Sequence, residues 1–419
     1  MKNIFCLLLV VLTLPVFAAT SLAATSLAAT AAPRAPRPFD LDYTIELLPK
    51  TDQARVSIVL GKSGELVSAL SFAVDDKRYS AFAATGTFSN NAGKATWKPN
   101  GVGAKLSYLV KISHKRSNGS FDARMTPDWA IFRGDKIIPA IKARMKKAAT
   151  SRAKVLIKLP PGWTSAETGW LRIDGERFAV DSPERKFDRP IGWMIAGKLG
   201  TRHDQLGTTE MFVAAPKGDP LDRMDALTTI NYVWPEIEAA FGKTPRKILI
   251  VGAGDPMWRG GLSAPNSMFL HSERPLISEN ATSTLVHELV HVVTRVSGED
   301  RSDWISEGLA EFYSVELIYR GGGMTDERHD KVYTWLADWS SKVKSLRSER
   351  SNAEITARAA LLLRDLDQEI RLRSKDSKSL DDVVRALRPL RKVSTTEFIV
   401  ESEKVLGAKS KVLATTLLK

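Results

Sequence analysis

Two periods of apolar residues divide the chain. From Phe39 to about Lys158, apolar and polar residues alternate: Val56, Ile58 and Leu60 form one such series, and Leu106, Tyr108, Val110 and Ile112 another. A period of two marks strands with one buried face. Turn-rich stretches such as Lys62-Ser63-Gly64 and Ser89-Asn90-Asn91-Ala92-Gly93 separate them, so the pattern predicts an N-terminal antiparallel β-sandwich. More β-rich sequence follows at Val155 to Leu159, Arg177 to Val180 and Glu210 to Ala215, broken by Pro160-Pro161-Gly162-Trp163 and Asp188-Arg189-Pro190.

Past Pro216-Lys217-Gly218-Asp219-Pro220 the period lengthens. Ala226, Ile230, Val233, Trp234, Ile237 and Phe241 recur at helical spacing, which predicts a domain boundary near residue 218. An apolar strand from Lys247 to Val251, a glycine-rich bend at Arg259-Gly260-Gly261-Leu262 and a strand-like Met268-Phe269-Leu270-His271 come next. From Asn280 onward nearly everything reads as helix, and Ile355, Ala359, Leu362, Leu363, Leu366 and Ile370 mark one amphipathic example. The expected fold class is α+β: a β-rich domain over 36–217, a second domain over 218–345 and a helical C-terminal domain over 346–419.

The first residues carry an address. Met1-Lys2-Asn3 is a short positive start, Ile4 to Phe17 an apolar run, and Ala18, Ala23 and Ala28 offer small-residue cleavage positions, so 1–28 reads as a secretory signal peptide. The run is short for a bilayer span, which takes about 20 apolar residues. Ala-Ala-Thr-Ser-Leu stands at both 18–22 and 23–27, which leaves the scissile bond open. No later stretch is apolar enough to span a membrane, so the mature chain is expected in the periplasm or outside the cell without a transmembrane helix. The one cysteine, Cys6, falls inside the signal. The mature chain therefore has no disulfide, and any metal must be held by His and carboxylate ligands.

At 419 residues, 43% hydrophobic and 26% charged, the chain can bury two or three compact cores. Its net charge of +13 favours anionic partners. An exported protein meets an anionic envelope surface more readily than nucleic acid, although a solvated basic surface with no dedicated partner has the same charge.

The chemistry lies in Thr284-Leu285-Val286-His287-Glu288-Leu289-Val290-His291-Val292-Val293. Leu285, Leu289, Val292 and Val296 form the apolar face of a helix, which leaves His287 and His291 together on another. Side chains four apart lie about 5–6 Å from each other, so both rings can reach one zinc at about 2.0–2.1 Å. Glu288 then stands beside the metal, where it can take a proton from water. A catalytic zinc needs a third protein ligand and an open position. Glu307 is the candidate, in Asp303-Trp304-Ile305-Ser306-Glu307-Gly308-Leu309-Ala310-Glu311-Phe312-Tyr313, a second helix starting at Ser302 or Asp303. The fifteen residues between His291 and Glu307 let the first helix end near Gly298 and the chain turn back. Glu311, one turn on, is placed to accept the other ring N–H of a ligand histidine. With six histidines in the chain, this motif is seldom met by chance. One zinc per chain is expected.

His-Glu-Leu-Val-His with Trp304-Ile305-Ser306-Glu307-Gly308-Leu309-Ala310-Glu311 resembles the gluzincin peptidases. Leu159-Pro160-Pro161-Gly162-Trp163, Arg259-Gly260-Gly261-Leu262 and the stretch from Leu366 to Leu387 resemble the glycyl aminopeptidase family within that group. The resemblance covers most of residues 40 to 390. It implies a β-sandwich, a thermolysin-like catalytic domain and a helical C-terminal domain, with a peptide or protein as substrate. Three departures stand out. Gly260-Gly261-Leu262-Ser263-Ala264 occupies the place where that family has Gly-Gly-x-Glu-His, whose glutamate suits a free amine. Thr356 is the best local match to the family's oxyanion-stabilising tyrosine. The residues after Pro389, about thirty, leave no room for the family's PDZ module. Tyr313, Tyr333 and His329 are the candidates to replace the tyrosine. Gly261, Ser263 and His271 are candidate substrate contacts, although a satisfied structural histidine is the first reading of His271. The leading expectation is peptide-bond hydrolysis; the alternative is a catalytically weak zinc-binding protein that serves as an envelope scaffold.

Overall fold

The computed structural model describes residues 35–182 and 185–419. Residues 1–28, whose sequence reads as a signal peptide, lie outside them. The fold is mixed α+β, with twenty-three strands and eight helices among the described residues.

Alternation in the N-terminal part becomes a seven-stranded sheet, in the order Arg172–Asp174, Arg177–Val180, Ala149–Lys158, Arg37–Leu48, Gln53–Leu60, Lys105–Lys111, Tyr79–Ala84. Phe39, Leu41, Tyr43 and Ile45 turn to one face with Val56, Ile58, Leu60, Leu106, Tyr108 and Val110, each at most 1% exposed. Leu70, Phe72, Ala95 and Trp97 of a four-stranded sheet join the same core. The pairing differs from the antiparallel expectation at one place. Arg37–Leu48 runs parallel to Ala149–Lys158, with Tyr43 opposite Val155. Alternation fixes which face is buried but not the direction of the neighbouring strand.

A five-stranded sheet carries Ser165–Thr168, Trp193–Gly197, Trp129–Arg133, Phe121–Met125 and His114–Lys115. A second runs Leu199–Leu206, Thr209–Pro216, Lys247–Ala253, Ser267–His271, Gly261–Ala264. Its three central strands are parallel, and the connection from Thr209–Pro216 to Lys247–Ala253 contains a helix, as parallel pairing requires. Residues on both sides of position 218 therefore share one sheet. Lys247–Ala253 is buried along its whole length because both faces are covered. Leu249 and Val251 pack with Ile131, Trp193 and Ile195, while Ile248 and Ile250 pack with the helices.

The helices are α1 (Gly134–Ile137), α2 (Arg223–Phe241), α3 (Thr284–Thr294), α4 (Trp304–Arg320), α5 (Asp326–Trp339), α6 (Ala353–Ser374), α7 (Leu380–Leu387) and α8 (Thr395–Leu406). Their starts follow capping chemistry. Asp222 accepts hydrogen bonds from the Met224 and Asp225 amides, and Asn352 accepts one from Ile355. Ser379 and Ser394 each form a reciprocal box with the acid three residues on. Between α3 and α4, Ser297–Gly298 pairs in parallel with Lys392–Val393. Among the described residues, no helix is long and apolar enough to cross a membrane.

Candidate metal centre

Helix α3 begins where Ser283 accepts a hydrogen bond from the Val286 amide, and it ends at Thr294, where Arg295 turns left-handed. Leu285, Leu289, Val292 and Val296 are buried, as their spacing predicts. On another face, His287 Nε2 and His291 Nε2 lie 3.3 Å apart.

Helix α4 brings the third donor. Glu307 stands in its first turn, with Oε2 3.4 Å from His287 Nε2 and Oε1 3.4 Å from His291 Nε2. Three donors each about 2.05 Å from a tetrahedral zinc would be separated by about 3.3 Å. The observed triangle has that size, so the residues fit the ion. Among the described residues this is the single grouping of His, Cys, Asp or Glu side chains with such convergence. Glu311 Oε2 lies 3.0 Å from His287 Nδ1, so the carboxylate accepts from that nitrogen and turns Nε2 to the metal position.

The charges agree with a cation site. Burial raises the Glu307 carboxyl, but hydrogen bonds from His287 and His291 outweigh it and hold its pKa far below the usual carboxylate range. Burial disfavours a charged His287 ring, yet Glu307 and Glu311 outweigh that and hold its pKa well above the ordinary value.

Glu288 follows His287 on α3 and is half-buried. The edge strand Gly261–Ala264 passes over it: a Cβ at Gly261 would come within 2.4 Å of Glu288 Cγ and 2.7 Å of Oε1. The bare glycine thus makes the room the carboxylate occupies. Ser263 is half-buried two residues along this strand, and the Leu262 carbonyl accepts from Trp193 Nε1 at 2.8 Å. His271 ends the neighbouring strand, 1% exposed, with Nδ1 accepting from the Glu273 amide at 3.2 Å and Nε2 3.4 Å from Asp255. The buried Nε2 makes no hydrogen bond among the described residues.

The replacement candidates for the tyrosine are engaged elsewhere. Tyr313 is fully buried and its hydroxyl donates to Asp381 at 2.8 Å, a carboxylate also held by Arg320. Tyr333 donates to Glu316 at 2.8 Å, and His329 Nε2 lies 2.7 Å from the same oxygen. Glu316 is nine residues beyond Glu307, about 13 Å along the helix axis. Thr356 stands in the first turn of α6, 9% exposed.

Several residues that position Glu307 carry no signal in the sequence. Asp303 accepts a hydrogen bond from the Ser351 amide at 2.7 Å, joining the start of α4 to the approach to α6. Trp304 Nε1 donates to Thr395 Oγ1 at 3.0 Å, and Thr395 also meets Ser302 at 2.8 Å. These partners lie 48 to 93 residues away, beyond any local pattern. Gly308 lets α4 approach α6, where a Cβ would fall 2.6 Å from that of Ala359.

No protein-family model and no curated protein matches the chain. Solved structures do. An aminopeptidase N family protein from Idiomarina loihiensis matches with a TM-score of 0.61 at 13% identity, over 84% of this chain and 70% of that one. An M1 zinc metallopeptidase from Deinococcus radiodurans matches with a TM-score of 0.59 at 16% identity, over 92% of this chain and 94% of that one. A variant of the Deinococcus protein, solved with a Tyr-Ser-Ala substrate, has a TM-score of 0.58, again at 16% identity over 92% and 94%. The chain thus shares the fold of these solved structures.

Proposed function

We propose that the chain is an exported zinc metallopeptidase that hydrolyses peptide bonds. One observation carries the reading: two imidazoles and a carboxylate form a triangle of tetrahedral size, with Glu288 next to His287 on the same helix. His287, His291 and Glu307 would hold one zinc ion, which supplies polarisation of the scissile carbonyl and a lowered water pKa. Glu311 keeps the His287 ring oriented. Glu288 takes the proton of the attacking water on Oε1 or Oε2 and passes it to the leaving amine. Gly261 keeps the path to that carboxylate clear.

The fold neighbours support peptides as the substrate class. The segments around Pro160, Gly260 and Leu366 support a place near the glycyl aminopeptidases. The two sheets sharing the N-terminal core are read as the sandwich module. The catalytic part is taken to begin ahead of Leu199, because both strands between Leu199 and Pro216 belong to the sheet beneath the metal helices; residues 346–419 complete it as the helical domain. The segment 1–28 supports export to the periplasm or beyond, and the net charge of +13 supports contact with an anionic envelope surface.

Incubation of zinc-loaded protein with a mixed peptide library tests the activity. Products that disappear with a chelator and return with zinc are expected. Their absence from fully loaded protein would leave the scaffold reading.

A further inference from the structure

Helix α3 ends one turn past His291, and there the protein encloses a cavity of about 390 Å³. None of the proposed zinc ligands lines it, nor does Glu288. Lys243, Arg246, Lys247, Arg295, Arg388 and Arg391 do, and among the described residues Asp181 is the one carboxylate in the lining. These side chains come from the loop after α2, the strand Lys247–Ala253, the end of α3 and the turn after α7, so the charge is gathered by the fold and not by one run in sequence.

Two of the cations are fixed in place. Lys247, with its side chain 1% exposed, meets Glu167 at 3.1 Å and lies over the Phe178 and Phe212 rings. Arg388 donates to the Phe241 carbonyl, to that of Lys243 at 2.6 Å and to that of Val293 at 3.1 Å, tying the ends of α2 and α3 together. Its Nε is buried and has no hydrogen-bond partner. A buried donor left without an acceptor costs free energy that a ligand oxygen would recover. Burial, and then the charges of Arg391 and Arg295, hold the Arg388 pKa below the usual arginine value. Lys243 and Arg246 stand exposed at the rim, and no carboxylate of the described residues pairs with either.

We infer that this cavity binds a phosphate-bearing anion of more than one negative charge. Guanidinium groups present paired N–H donors that match phosphate oxygens, and an ammonium adds an undirected charge. Lys243 and Arg246 at the rim and the unpartnered Arg388 Nε are the donors left for a ligand, Lys247 being paired with Glu167; an anion with several charged oxygens can meet more of these donors than a carboxylate does. The ligand source is either a soluble phosphate compound or a phosphorylated headgroup of the envelope.

Calorimetric titration of the full zinc-loaded chain with inorganic pyrophosphate at low ionic strength tests the site. One saturable site is expected. The double variant Lys243→Gln with Arg246→Gln should weaken it by about tenfold or more, while Lys146→Gln with Lys147→Gln, on an exposed turn elsewhere, should leave it unchanged. Uptake that does not saturate, or equal weakening in both double variants, overturns the assignment. Sedimentation with phosphatidate vesicles separates the sources: co-sedimentation reversed by pyrophosphate places the phosphate on a headgroup, and pyrophosphate binding without co-sedimentation places it on a soluble molecule.

Discussion

His287 Nδ1 lies 3.0 Å from Glu311 Oε2, so the helix that supplies the carboxylate donor also orients one of the imidazole donors. Replacing Glu311 with Ala should weaken zinc about 10–100-fold. Competition against a chromophoric chelator measures it. An unchanged affinity would remove Glu311 from the site's construction.

Glu288→Gln should keep its zinc and lose turnover by about 10²–10⁴-fold, the usual contribution of a positioned base. Metal content by atomic absorption and peptide cleavage are read on the same sample. A variant as fast as the parent would exclude Glu288 as the base.

Gly261→Ala places a methyl group against the Glu288 side chain, within 2.4 Å of Cγ before relaxation. The turnover number should fall while zinc content holds. Gly308→Ala acts differently: its methyl group meets Ala359 at 2.6 Å and forces α4 from α6. Overpacking of this kind costs about 1–3 kcal/mol, read by urea denaturation, and zinc affinity should drop with it because Glu307 moves with α4.

Ser263 stands where the glycyl aminopeptidases have a glutamate for the substrate amine. Without that carboxylate, an acetylated peptide should be cleaved about as fast as its free-amine counterpart, since no buried charge pair is lost. Paired substrates differing in the acetyl group alone give the answer, and a strong preference for the free amine would require another anchor.

Burial pushes the Asp188 carboxyl up to about 6 from an ordinary value of 3.8, despite hydrogen bonds from Ser151 at 2.9 Å and the Ser182 amide at 3.2 Å. Between those values the folded chain holds a proton that the unfolded chain has released. Stability from this group is therefore full below pH 3.8 and is lost as pH rises through about 6. Compared with Asp188→Asn, the parent should lose ground in urea denaturation across that window; a difference that does not change with pH would count against it.

The histidine pair was legible because a helix converts a spacing of four into shared direction, and the apolar partners Leu285, Leu289 and Val292 made the helix itself legible. The helices of Ala226 to Phe241 and Ile355 to Ile370 were legible for the same reason. What local period cannot supply is the partner. Tyr313 follows Glu307 on one helix, yet its hydroxyl belongs to Asp381, 68 residues away. Alternation in Arg37–Leu48 did not disclose the parallel neighbour whose Arg152 pairs with Asp40, 112 residues on. Pro216 to Pro220 looks like the end of a domain, but the same turn chemistry also serves between a strand and the helix that crosses back over its sheet.

The short pairing of Ser297–Gly298 with Lys392–Val393 has a consequence for biosynthesis. Ser297 also donates to the Arg391 carbonyl, 94 residues further along. As the chain leaves the ribosome, all three metal donors emerge well before the segment that braces the corner between their helices. The corner between α3 and α4 is thus complete only once residues through Val393 are in place, although every donor of the triangle is already made by then.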